Sequence, residues 1–244
     1  MGITALTLKK KYGGAGDDGG DVLSYILAVE ELAKYDAGVS ITLSATVSLC
    51  ANPIWQFGTE EQKEKFLVPL VEGTKLGAFG LTEPNAGTDA SGQQTVAVKN
   101  DDGTYTLNGS KIFITNGGHA DIYIVFAMTD KSKGNHGITA FILEDGMPGF
   151  TYGKKEDKMG IHTSVTMELV FQDVKVPAEN MLGEEGKGFK IAMMTLDGGR
   201  IGVAAQALGI AEAALADAVE YSKQRVQFGK PLCKFQSVSF NWLT

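Results

Sequence analysis

Four short segments hold residue types that could grip a ligand or move a proton. The first, Phe79-Gly80-Leu81-Thr82-Glu83-Pro84-Asn85-Ala86-Gly87-Thr88-Asp89, leaves a strand, turns at Pro84 and sets small residues and hydroxyls where the chain must approach something closely. Such a loop suits a phosphate or carbonyl ligand, and an ordinary strand-to-strand connection would look the same. The second, Lys111-Ile112-Phe113-Ile114-Thr115-Asn116-Gly117-Gly118, ends a strand with Phe113 and Thr115 two positions apart on one face. An aromatic beside a hydroxyl suits a planar heterocycle; a strand running into a hairpin explains the same residues. The third, Asp197-Gly198-Gly199-Arg200, puts an acid and a base at i, i+3 on an otherwise apolar helical stretch. Charges on such a surface need partners, and a simple intrahelical ion pair is one answer. The fourth, Gln224-Arg225-Val226-Gln227-Phe228-Gly229-Lys230-Pro231-Leu232 with Gln236 beyond it, reads by itself as a helix stop with a basic finish.

Other chemistries find little support. Gly14-Ala15-Gly16-Asp17-Asp18-Gly19 spells a dinucleotide fingerprint, but its two carboxylates would repel a pyrophosphate, so it reads as a glycine-rich surface loop. His119, His136 and His162 lack ligand-like spacing, so no metal site is expected. Cys50 and Cys233 lie far apart in apolar surroundings and read as free thiols of a reducing compartment. A net charge of −7 without a basic stripe argues against nucleic acid, and Lys9 to Lys11 reads as a solvated loop. No apolar run approaches the roughly 20 residues of a membrane span, and no signal peptide is recognisable, so a cytoplasmic protein that does not engage a membrane is expected.

The positioning elements follow from periodicity. Apolar residues at Val22, Leu23, Ile26, Leu27, Val29, Leu32 and Ala33 give an amphipathic helix N-capped by Asp21. Ser40 to Gln56 is a second helix stopped at Gly58, and Thr59 with Gln62 forms a capping box for a third. After Gly73 the period becomes two, with strands expected at Gly77–Thr82, Thr95–Lys99, Thr104–Leu107, Lys111–Thr115, Ile122–Met128, Thr139–Leu143 and Met167–Val176. Asp102-Gly103 and Asn108-Gly109 read as turns. Seven strands without intervening helices predict a β-sandwich or barrel rather than a doubly wound sheet. Lys187 to Arg225 returns to helix, apolar or small on nearly every face, and so predicts a partner surface. The organisation is therefore α+β and multi-domain: a partial N-terminal helical domain (1–73), a central β domain (74–183) and the start of a C-terminal helical bundle (184–244).

In this order and spacing, the four segments resemble the acyl-CoA dehydrogenase family, and specifically its short-chain, butyryl-CoA members. The resemblance covers essentially the whole chain, extending to Tyr12-Gly13-Gly14, Asn52-Pro53, Gly58-Thr59-Glu60-Glu61-Gln62-Lys63 and Met159-Gly160. It implies FAD, with Phe79 to Thr88, including Gly87, lining the flavin and its phosphates. Leu81 and Thr82 would lie near the pyrimidine edge, and Thr88 near pyrophosphate and CoA. Phe113, Ile114 and Thr115 would pack on the isoalloxazine, with Phe113 standing where the family usually has Trp. Asp197, Gly198, Gly199 and Arg200 would meet the acyl-CoA substrate, while Arg225 and Gln236 would reach the FAD of a neighbouring subunit in a homo-oligomer, commonly a tetramer. The implied reaction is α,β-dehydrogenation of a short acyl thioester, the electrons passing to an electron-transferring flavoprotein.

The same resemblance implies a missing catalytic base. Most members carry it as a glutamate beyond the segment present here, a minority just before the arginine aligned with Arg200, and that position is Gly199. No normal turnover by this polypeptide alone is expected; a non-catalytic flavin-binding relic is the alternative reading. The ends point the same way: Met1 reads as an internal start, and Ser239-Phe240-Asn241-Trp242-Leu243-Thr244 replaces the usual Ser-Phe-Lys-Leu-Ala-Asp-Met, as deleting one A from AAA TTG GCT GAC ATG A would produce.

Overall fold

The structure, a computed structural model, describes residues 2–15 and 21–240. Most of the loop Gly14–Gly19 and the ending Asn241–Thr244, both singled out above, lie outside the described residues. Three helices come first: α1 (Val22–Tyr35), α2 (Ala37–Phe57) and α3 (60–72). The N-caps of α1 and α3 are those the sequence predicts, since the Asp21 carboxylate accepts from Leu23 N and Thr59 and Gln62 form a reciprocal capping box. α2 begins three residues before the expected Ser40, because the Asp36 carboxylate accepts from the N–H groups of Gly38 and Val39 and starts the helix there.

Eight strands follow: β1 (Gly77–Gly80), β2 (Val96–Lys99), β3 (Tyr105–Thr115), β4 (Ile122–Met128), β5 (Ile138–Glu144), β6 (Phe150–Lys155), β7 (Thr166–Val176) and β8 (Met181–Leu182). They form one sheet in the order β6-β7-β3-β2-β4-β5-β8, with β1 on β4. The sheet curls without closing into a barrel. Ile122, Ile124 and Phe126 of β4 face Cys50, Ile54, Phe66 and Leu70 of the helices. The alternating Tyr123, Val125 and Ala127 face a second core with Leu107 of β3, Phe150 of β6 and Leu169 and Phe171 of β7. β4 is thus buried on both faces, which explains its uninterrupted apolar run.

Two strand expectations need correction. Asn108-Gly109 is not a turn: β3 runs straight through it as one eleven-residue strand, with a register shift against β7. Gly109 is there for close approach, since a Cβ would come within 2.5 Å of Thr95 Oγ1, and its φ of 144° is closed to most L residues. β6 was not expected, its short alternation of Phe150 and Tyr152 being interrupted by Gly153.

The helix α4 (Gly188–Gln224) returns across the helical layer and packs on α1, where Lys34 pairs with Glu212 at 2.8 Å. Contrary to the sequence expectation, two helices among the described residues, Ala37–Phe57 and Gly188–Gln224, are long and apolar enough to cross a bilayer by length and composition, each holding an 18-residue stretch of mean hydropathy 1.3. Interspersed Gly, Ser and Thr hide this from a search for unbroken apolar runs. α2 is largely a core helix, whereas α4 leaves Ile201, Val203, Leu208, Ile210 and Leu215 exposed.

Candidate flavin and acyl-thioester cleft

β1 and β2 lie end to end along the same edge of β4, Gly77 to Gly80 beside Ile122 to Val125 and Val96 beside Met128. The chain between them, 81–95, is therefore thrown outward as an excursion from a continuous sheet edge. Its rim meets the end of β3, where a bulge separates Lys111 from Ile114 and Phe113 takes a left-handed φ of 59°. A regular strand that buries Lys111 would also bury residue 113. The extra residue instead turns Ile114 inward and leaves Phe113 and Thr115 facing out.

The consequence is a cleft of about 430 Å³. Phe79 lines it from β1, Leu81, Thr82, Gly87 and Thr88 from the excursion, and Phe113, Ile114 and Thr115 from β3. The structure thus brings these eight predicted positions of the first two segments together, whereas Glu83, Pro84 and Asn85, inside the expected Phe79 to Thr88 run, line a separate hollow. The opposite wall consists of residues that sequence reasoning missed: Ala45 and Leu49 on α2, and Met193 and Leu196 on α4. Ala45 and Leu49 sit where α2 widens to π geometry over Ala45–Ala51, a deviation that carries no sequence signature. Asn116, at φ 65°, joins the two walls: its side-chain amide donates to Gly77 O at 2.9 Å on β1 and to Thr42 O at 3.2 Å on α2.

A second groove of about 340 Å³ adjoins the first across Leu49 and Leu196 and is lined by Ile41, Ser44, Ser48, Gly199, Arg200 and Val203. Gly199 and Arg200 of the third segment therefore border the neighbouring groove, and Gly198 turns toward a separate hollow with Asn52 and Trp55. Asp197 and Arg200 form a solvated pair at 3.4 Å, both side chains more than 70% exposed. No carboxylate or imidazole among the described residues lines the cleft or its adjoining groove.

The fourth segment lies elsewhere. Arg225 caps the far end of α4, and Val226–Gln227 and Lys230–Pro231 pair in a hairpin whose tip, Phe228-Gly229, has φ of 52° and 75°. From Leu196 to Arg225 the helix rise of 1.5 Å per residue amounts to roughly 44 Å. Arg225 is exposed at that distance, Gln236 is exposed beyond the hairpin, and neither lines the cleft of its own chain.

Beneath the excursion lies a buried ion pair. Lys111 Nζ, fully buried, donates to Glu83 Oε1 at 2.7 Å, Gln93 Oε1 at 3.0 Å and Leu81 O at 3.2 Å. Burial pushes the ammonium down to about 8 against the upward pull of Glu83. For Glu83 burial acts upward, but Lys111 and the Gln94 N–H outweigh it and hold the carboxyl below its usual range. Glu83 thus points away from the cleft.

Three family profiles match the chain: acyl-CoA dehydrogenase, N-terminal domain, over residues 1–74; middle domain over 78–174; and C-terminal domain over 186–243. The chain belongs to the acyl-CoA dehydrogenase family. It is 93% identical over 240 residues to the short-chain specific acyl-CoA dehydrogenase of Megasphaera elsdenii, spanning 98% of this chain and 63% of that relative. The solved butyryl-CoA dehydrogenase from Megasphaera elsdenii superposes with a TM-score of 0.97 at 92% identity, over 99% of this chain and 63% of the other. A chain in a structure described as the electron transferring flavoprotein of Acidaminococcus fermentans gives 0.95 at 69% identity, over 98% and 62%. A structure described as PigA with FAD and proline gives 0.92 at 35%, over 99% and 63%. The chain therefore spans a little under two thirds of the length of these relatives.

Proposed function

We propose that the chain holds the flavin half of a short-chain acyl-CoA dehydrogenase site, binding FAD in the cleft and a butyryl-CoA-like thioester in the adjoining groove. The observation that carries this is the convergence of two segments, 79–88 and 113–115, on one cleft walled by apolar side chains of α2 and α4. The lining fits a planar heterocycle. Phe113 presents a 59% exposed ring from a bulge, and a Cβ built on Gly87 would meet no atom within 4 Å, which leaves room for close approach of a ligand. The family relationship and the neighbour described as PigA with FAD and proline support FAD as that heterocycle.

Bound flavin supplies the hydride-accepting chemistry, and the chain's residues would hold and orient it. Phe113 gives it an apolar floor beside the inward-turned Ile114, and the hydroxyls of Thr82, Thr88 and Thr115 offer hydrogen bonds along its edge and phosphates. Leu49 and Leu196, shared by cleft and groove, would set the contact between flavin and acyl chain and keep water out. Gly199 and Arg200 would meet the thioester side. Arg225, about 44 Å along the helix from this cleft, and Gln236 beyond the hairpin would serve the FAD of a second copy, which makes a homo-oligomer, a tetramer by family resemblance, part of the reading. An electron-transferring flavoprotein is the proposed electron acceptor. Cytoplasmic residence and a part in fatty-acid metabolism complete the proposal, supported by the bacterial relatives and the free thiols of Cys50 and Cys233.

No described carboxylate reaches the cleft to take the α-proton, so this polypeptide should bind without turning over. The purified chain, loaded with FAD and freed of excess, should keep the visible flavin bands and show no bleaching on anaerobic addition of butyryl-CoA. Loss of all flavin would overturn the binding reading; rapid bleaching would overturn the assignment of the base outside these residues.

A further inference from the structure

The cleft is lined by backbone and side chains of an outward excursion, and such a segment needs something to define its shape. A fifteen-residue connection has substantial conformational entropy to lose. Its termini are fixed by β1 and β2, and Ile112 N on β3 holds Thr82 O at 2.9 Å. Between those points, one charged pair ties the excursion together. The three protons of Lys111 go to Leu81 O, Glu83 Oε1 and Gln93 Oε1, three points along the excursion, from a strand position fixed by its pairing with Leu169. Glu83 returns the tie, accepting from Thr95 N at 3.0 Å and from Gln94 N, so that the start of the excursion is fastened to its end.

Lys111 is fully buried and is two residues from Phe113, with the bulge beginning directly after it. On the other side of the same tie stand Leu81 and Thr82, which line the cleft. Neither Lys111 nor Glu83 lines it themselves. A buried ion pair is weak evidence for added stability, because apolar residues of similar volume often hold a fold as well. What an apolar pair cannot do is fix the directions of one backbone carbonyl, two backbone N–H groups and a side-chain amide simultaneously.

We propose that Glu83 and Lys111 are positioning residues for the cleft, setting the course of the 81–95 excursion against the β3 bulge and thereby the affinity and electronic surroundings of a bound flavin. The proposal rests on the flavin reading given above, and the pair touches neither flavin nor substrate. The two claims separate experimentally. In the full chain, Glu83→Met combined with Lys111→Met removes both charges together and leaves neither ion unpaired; Glu83→Gln keeps the shape and removes one charge. Three quantities are read: melting temperature, FAD affinity with the visible fine structure of the bound flavin, and amide hydrogen exchange of residues 81–95 without flavin.

The double variant should melt within a few degrees of the parent, exchange the 81–95 amides at least tenfold faster, and bind FAD at least tenfold more weakly with altered fine structure; Glu83→Gln should fall between. Unchanged exchange in 81–95 together with FAD affinity within twofold of the parent overturns the proposal. If the parent binds no flavin, the flavin reading fails and exchange alone judges the positioning role, with unchanged protection refuting it. If the double variant does not fold, the same criteria are applied to Glu83→Gln.

Discussion

Two glycines of α4, eleven positions apart, should respond to the same substitution with opposite signs. Replacing a helical glycine with alanine restricts the unfolded chain and improves helix propensity by roughly 1 kcal/mol. At Gly198 an added Cβ would find Asn52 Nδ2 at 3.8 Å as its nearest neighbour, an ordinary contact. Gly198→Ala should therefore stabilise by up to about 1 kcal/mol, a rise of roughly 2–4 °C for a chain of this size. At Gly209 the Cβ would stand 2.2 Å from the carbonyl oxygen of Glu30 and 3.0 Å from Ala33 Cβ. The obstacle is backbone of α1, which cannot rotate aside, so α1 and α4 must separate. Overpacking of this kind costs about 3 kcal/mol at the upper end of its usual range, leaving a net loss of about 2 kcal/mol after the propensity gain. The two variants should differ by roughly 3 kcal/mol. Urea unfolding with a common m value measures this directly. Equal shifts of the same sign would show that the α1–α4 contact does not set the stability of the helical layer.

Other consequences are as direct. Gly87→Val should leave the melting temperature nearly unchanged, because the position is open to the cleft, while weakening FAD binding at least tenfold in a fluorescence titration. Cys50 is fully buried and burial pushes its thiol up to about 12, so a thiol reagent at neutral pH should modify Cys233 in the folded chain and both cysteines only in denaturant. Glu60, Asp102 and Asp130 are each held down to about 2, chiefly by hydrogen bonds from Lys11, Thr104 and Ser132 respectively, against ordinary values of 4.5 for the glutamate and 3.8 for the aspartates. Their folded values lie below the unfolded ones, so their stabilisation is fully present above about pH 5 and is lost as the pH falls toward 2. Melting temperatures should decline across that window, less steeply in Glu60→Gln; an identical decline in that variant would exclude Glu60 as a contributor.

Much of the local structure was legible because its causes are local. Asp21, Thr59 and Gln62 announce helix starts through side chains that bond backbone two or three residues away. The continuous apolar run of β4 reports a strand buried on both faces, and the residue types of 79–88 and 113–115 were enough to suggest a cleft-forming pair of segments. Asn108-Gly109 misled for a physical reason. The dipeptide favours a tight turn, but the close approach of Thr95 uses the same glycine to let β3 pass straight through. Lys111 could have been suspected from the sequence. It is a cation at an inward position of a strand whose other inward residues, Tyr105 and Leu107, are core.

The sequence by itself determined most of the element types, the order of helical and β regions and, through the resemblance, the family and the residues that line the cleft from the β side. The elements depend on short-range periodicity and on residue chemistry that needs no partner; the family and the lining residues came from the resemblance that the four segments carry. The tertiary structure alone decided that β1 and β2 share one edge of β4, so that 81–95 is expelled as an excursion, and that a bulge against β7 turns Phe113 outward. It also decided which residues of α2 and α4 close the cleft, and that Arg225 stands a helix length away from it. Register, bulges and walls of this kind arise from contacts between residues far apart in sequence, where the packing of one element determines which face of another is left to bind a ligand.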